Sequence, residues 1–183
     1  MTTVLPAVLM IFLIVFGFIF ISITVTVDKL EADVRDKSSE IDGSLWDRAF
    51  QLTKLVEILD NKGIEHEIEA PNINAFGLGM STVIQSTSAE SLDTLDRQLK
   101  EVLKKHPELK EDEEFKEHLD KFDNARAELM KATLAYNKSA NRFNSRISTF
   151  PSSAISAFHK KKSKPNFMYY FGNLNDPDAE KQA

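Results

Sequence analysis

"FKEHLDKFDNARAELMKATLAYNKSANRFNSRISTF", residues 115–150, carries a large apolar side chain at every seventh position: Phe115, Phe122, Leu129, Tyr136, Phe143 and Phe150. Between them, four residues on from each of the first five, lie Leu119, Arg126, Thr133, Ala140 and Ile147. A repeat of seven held over five turns of the pattern keeps one helix face against a neighbour and predicts left-handed packing. The stretch therefore predicts one long helix, from about Glu111 to Phe150, closed by Pro151. A stripe of aromatics can also line a cofactor, but a heptad seam of this kind reads as core or as a helix interface. Asn137 and Asn144 follow the seam by one position, either to bond across helices and fix register or to form a solvated flank. Arg126 sits inside the seam, so it either snorkels to the edge or pairs with an acid on a neighbouring helix.

Working back from this helix, Pro107 ends an earlier one, in which Leu92, Leu95, Leu99 and Val102/Leu103 share a face and Ser88 is the expected N-cap. Residues 64–81 contain Pro71, Gly77 and Gly79 and read as a loop or a broken short helix. Before it, Leu30, Val34, Ile41, Leu45, Ala49, Leu52, Val56 and Leu59 keep helical spacing until Asn61-Lys62-Gly63 supplies a stop.

That stalk continues a run from Val4 to Val27 with no ionisable side chain. As a helix the run is about 36 Å long, enough to cross a hydrocarbon layer of roughly 30 Å. No Lys or Arg precedes it and SITVTVDKL lacks a small-x-small step, so a retained anchor is expected rather than a cleaved signal peptide. Lys29, Arg35 and Lys37 follow it closely, which places the rest of the chain on the cytoplasmic side. The expected fold class is all-α, a single transmembrane helix continuing into a long stalk helix and packed in an antiparallel bundle with the heptad helix. Its expected divisions are a short tail 1–3, the span 4–27, a bundle 28–151 and a basic and aromatic extension 152–183.

The residues at the end of the heptad helix, Tyr136-Asn137, Phe143-Asn144 and Phe150-Pro151, resemble the C-terminal pattern of the LemA family of bacterial membrane proteins. Pro107-Glu108-Leu109-Lys110 with Phe115 lies at the family's distance upstream. Ile41-Asp42, Leu45, Arg48, Leu55-Val56 and His66-Glu67 resemble its stalk series. The chain departs from that pattern at Arg126 and Thr133, where the family usually has Glu and Arg, and at Thr53, where it has Pro. The resemblance implies an all-helical, cytoplasm-facing domain on one N-terminal anchor at the bacterial inner membrane. It implies no activity.

The chemistry-bearing residues are few. There is no cysteine, which excludes thiolate nucleophiles and Cys-ligated zinc, and of four histidines only His118, one turn from Glu114, has the start of a ligand pair. No nucleophile elbow, phosphate loop or dinucleotide fingerprint occurs, so no enzyme, cofactor or metal is expected. With 23 basic and 28 acidic residues the chain is mildly acidic, which does not suit a nucleic-acid binder.

Two segments suit interaction. Lys160, Lys161, Lys162 and Lys164 lie between Phe158 and the run Phe167, Tyr169, Tyr170 and Phe171, a mixture suited to anionic headgroups or an acidic protein. If the stalk leaves the membrane, the second helix returns and the third leaves again, Phe150 ends far from the bilayer and a neighbouring subunit is the expected partner. The loop apex with Phe76, Leu78 and Met80 either tucks into the core or docks onto another copy. The expected function is a non-catalytic membrane-anchored scaffold that forms a homo-oligomer. The alternative is an adaptor that binds or regulates another membrane protein through its helical bundle.

Overall fold

The apolar run and the stalk form one unbroken helix. In a computed structural model that describes residues 4–169, α1 spans Val4–Asn61, α2 Thr82–Lys105, α3 Glu113–Ser148 and α4 Ser152–Phe158. Short 3₁₀ turns at Ile73–Ala75 and Pro107–Glu111 complete the elements, and no strand occurs among the described residues. The tail 1–3 and the part of the C-terminal extension from Tyr170 onward, Phe171 included, lie outside the described residues.

α1 stops where Gly63 takes the left-handed conformation, φ 67°, open to glycine because it lacks a Cβ. Lys62 N then donates to Ile58 O at 3.1 Å and Ile64 N to Leu59 O at 3.1 Å, which satisfies the last carbonyls of the helix. α2 is capped seven residues earlier than the expected cap at Ser88. Ser81 is the N-cap, its hydroxyl accepting from Ile84 N, and Ser88 lies inside the helix. The hydroxyl-rich run hid the true start, because Ser86 and Thr87 turn their hydroxyls onto the carbonyls of Thr82 and Val83 and stay helical. Asp112 caps α3 by accepting from Phe115 N at 2.9 Å.

The chain divides into two compact units, one comprising residues up to 36 with 137–166, the other 37–136 with the segment from Phe167. In the second unit, Leu45, Leu52, Leu55 and Leu59 of α1 meet Leu92 and Leu99 of α2 and Phe115, Phe122 and Leu129 of α3, all fully buried. Here α2 runs in the same direction as α1: Gln85 near its start donates to Asp42 at 2.6 Å, and Asp96 further on meets Arg48. α3 runs against both, with His118 Nδ1 2.7 Å from Gln51 Oε1 and the Tyr136 hydroxyl 3.3 Å from that of Thr82. The returning segment is the irregular stretch 62–81, pinned where Gly79 N donates to Asp42 at 2.7 Å. The expectation that α2 makes the return is thus corrected, since an extended chain covers about twice the length per residue of a helix.

The first unit holds the start of α1, the end of α3, and α4. Ser139 donates to Asp33 at 2.5 Å, and the ring of Phe158 lies edge-on to that of Phe20 at 6.4 Å, so α3 and α4 descend along the apolar run. Phe158 therefore stands beside this run and the basic segment beside the residues just after it, where the helix count expected the chain beyond Phe150 to lie far from the bilayer. Ile23, Val27, Phe143 and Ile155 are buried in this unit, while Val8, Phe12, Phe16 and Phe18 of the run are bare. α1 is the one helix among the described residues long and apolar enough to cross a membrane. The run's hydroxyls cost little in an apolar setting, since Thr24 donates to Phe20 O and Thr26 to Ser22 O within the helix.

Candidate functional site

The seam residues are turned inward. Phe115, Phe122, Leu129 and Tyr136 are buried in the second unit and Phe143 in the first. Phe150 is the exception at 82% exposed, because α3 ends at Ser148 and the chain has left the helical register before reaching it. Among the four-three positions, Thr133 donates to Leu129 O at 2.8 Å, and Leu119 and Ile147 are half-buried.

Next to Phe122 the second unit buries a set of charges. Arg48 is fully buried, with Nη1 2.5 Å from Asp93 Oδ1, Nη2 3.5 Å from Asp96 Oδ2, and its guanidinium carbon 4.8 Å from the centre of the Phe122 ring. Arg126 takes the paired course, its Nε 3.6 Å from Asp93 Oδ1, and Lys100 approaches Asp96 at 3.4 Å from the rim. The Tyr169 hydroxyl also donates to Asp93, and burial first, then that carboxylate, pushes its pKa well above the ordinary phenol value. Phe167 is buried beside it. Two aromatics of the C-terminal run are thus spent inside this unit, leaving Met168 between them exposed.

The basic segment is divided by its partners. Lys161 pairs with Asp28 at 2.8 Å and Glu31 at 2.6 Å, and Lys164 pairs with Glu31 at 2.8 Å while lying 5.7 Å from the centre of the Phe143 ring. Asn144 clips the backbone of Lys164 twice, donating to its carbonyl and accepting from its N–H, each at 2.8 Å. Lys160, held at φ 53°, and Lys162 are exposed. Asn137 is half-buried. At the loop apex Phe76 and Met80 are half-buried and Leu78 is 83% exposed, so the two expected fates divide between neighbours. Among the described residues no group of three or more His, Asp or Glu is placed to hold a metal ion.

The Lys161 clasp is pH-dependent. Hydrogen bonds from Lys161 and Lys164 hold the Glu31 carboxyl below its ordinary 4.5, and those to Asp28 and Glu31 raise the Lys161 ammonium above 10.5. The Glu31 contribution is therefore full above pH 4.5 and fades as pH falls through its lowered pKa; that of Lys161 is full below 10.5 and fades as pH rises through its raised one. Exchange protection of the Lys164 amide, corrected for intrinsic rate, is expected to drop between neutral pH and about pH 3. Lys161→Gln should produce the same drop at neutral pH, and undiminished protection in both cases would dissolve the clasp as an energetic element.

With this geometry in hand, comparison with known families is decisive. The model of the LemA family matches residues 77–178, more than half of the chain. The chain belongs to the LemA family. The LemA match takes in the loop apex from Gly77 onward, α2, the heptad helix, the Asn144 clip and the basic segment. The stalk positions Ile41, Leu45, Arg48 and Leu55, and the His66-Glu67 step, lie outside it. No curated protein and no solved structure matches, so LemA membership is the whole of what the comparisons give.

Asp93 and Asp96 escaped the sequence reading, although a signal was present. They stand one and four positions after Leu92, on the face that also carries Leu99, and acids on a packed face call for partners.

Proposed function

We propose that this LemA-family chain is a non-catalytic helical scaffold, anchored in the bacterial inner membrane by Val4–Val27 with its later helices on the cytoplasmic side. In this reading it associates laterally with copies of itself. The observation that carries the reading is where apolar surface remains once the seam is used internally. Leu78 is 83%, Val83 74% and Ile84 52% exposed, three large side chains within seven residues around the Ser81 cap. Met130 and Leu134, one turn apart on α3, are exposed as well. Apolar surface concentrated in this way marks interfaces more often than it is left to water.

Size measurement of the full-length protein in mild detergent and in nanodiscs tests this directly. The expected result is an assembly that Leu78→Glu with Val83→Glu breaks down while helicity is kept. A wild-type protein that stays monomeric over a wide concentration range would overturn it. The adaptor reading is favoured by the inward seam, which leaves local surface patches, among them the exposed Lys160 and Lys162, to face a partner. A monomeric chain that recovers a distinct membrane protein, and loses it on Lys160→Glu with Lys162→Glu, is its signature.

A further inference from the structure

The outward face of α3 in the first unit carries Lys138, Arg142 and Arg146 at successive helical turns. With Leu30 of α1, and with Asn141 and Ser145, they line an open groove of about 840 Å³. Of the acids on this stretch of α1, Asp28 and Glu31 pair with Lys161 and Lys164, and Asp33 accepts from Ser139. None of the three cations has an ion pair among the described residues, and the Arg146 Nε–H is buried without an acceptor. A buried guanidinium N–H without an acceptor is costly, and a phosphate oxygen is the acceptor that a planar donor fork fits best.

The height of the groove identifies which phosphate. Since Ser139 meets Asp33 in antiparallel register, Arg142 falls beside Leu30 and Arg146 beside the last residues of the uncharged run, Thr26 and Val27. One step further along, Phe150 and Phe158 are 82% and 76% exposed, and Phe158 packs on Phe20, about 10 Å inside the end of that run at 1.5 Å per residue. Cations level with the end of a span and bare aromatics just below it reproduce the polarity of a headgroup layer over acyl chains. We propose that the groove binds the phosphate of an anionic membrane lipid, with Arg142 and Arg146 as its donors, Lys138 as a further cation, and Phe150 and Phe158 against the upper acyl chains. This rests on the reading of Val4–Val27 as a membrane span.

The test uses the full-length protein in vesicles, with its one tryptophan removed by Trp46→Phe and a reporter placed in the groove by Ser145→Trp. Matched phosphatidylcholine vesicles contain a minor, equal fraction of bromine-labelled phosphatidylglycerol or bromine-labelled phosphatidylcholine. Labelled phosphatidylglycerol is expected to quench the reporter well beyond labelled phosphatidylcholine, and each cation removed, by Arg142→Gln or Lys138→Gln, to cut that enrichment roughly fivefold. Arg142→Lys should keep most of it. Equal quenching by the two lipids overturns the proposal. Loss of the preference on adding inorganic phosphate overturns it too, because the groove then takes free phosphate. A second reporter, Phe12→Trp, reads the anchor separately: quenched by both lipids it confirms the span, and unquenched it removes the span and this inference together.

Discussion

Replacing Arg48 with alanine is expected to destabilise the protein by about 3–5 kcal/mol, because it strands carboxylates that the fold has already taken out of water. The Arg48 side chain is fully buried, and those of Asp93 and Asp96 are 9% and 2% exposed. Asp93 would keep Arg126 and the Tyr169 hydroxyl, whereas Asp96 would keep only Lys100 among its present ion-pair partners, a side chain that reaches it from the rim. The guanidinium also lies on the Phe122 ring, so the truncation opens a space beside a core aromatic as well. Guanidinium chloride unfolding of the full-length protein in detergent, followed by helical circular dichroism, measures the loss. Combining Arg48→Met with Asp93→Asn and Asp96→Asn should return most of it, since no fully buried charge is then stranded, and Arg126 and Lys100, which lose these acids, still reach water. Arg126→Ala, with a side chain still partly in water, is expected to cost only about 1–2 kcal/mol. A loss below about 1 kcal/mol for Arg48→Ala would mean that water reaches the cluster and that its geometry is not as described.

Phe143→Ala and Phe150→Ala should differ sharply, although the two residues are one heptad apart. Phe143 is completely buried against the first unit's core, with Lys164 over its ring, and its truncation is expected to cost about 3–5 kcal/mol. Phe150 is 82% exposed, and its truncation should stay within about 0.5 kcal/mol in detergent. The same unfolding assay separates them. Similar losses would place both in one packed seam and would require Phe150 to be covered by a second copy in detergent. That outcome would redirect attention to the corner between α3 and α4.

Much of this architecture was legible along the chain because its signals are local. A run without charges, an apolar face every three to four residues, a glycine with φ above zero and a proline each act within one or two helical turns, and they set α1, its stop at Gly63, the end of α2 and the course of α3. The inward face of α3 was legible too, from Phe115 to Phe143, while Phe150 kept the spacing after the helix had ended. Ser88 misled for a similar reason, since a serine or threonine at a cap and one inside a helix differ only in which backbone group the hydroxyl finds.

What a sequence of helices does not state is direction. Twenty irregular residues, 62–81, reach roughly 60 Å when extended, more than the roughly 36 Å length of the α1 segment from Lys37 to Asn61 that they run back along. Nothing local requires or forbids that return, yet it sets α2 parallel to α1. It also decides that α3 closes beside α1 in each unit. From these two pairings come Arg48 between Asp93 and Asp96, Lys161 on Asp28 and Glu31, and Phe158 on Phe20, contacts between residues 45 to 138 positions apart. The sequence by itself determined the anchor-length run, the helices and the apolar face of α3, because each depends on neighbours a few residues away. Only the tertiary structure decided which charges are buried and which cations stand level with the end of the apolar run, because burial is a property of how distant segments meet.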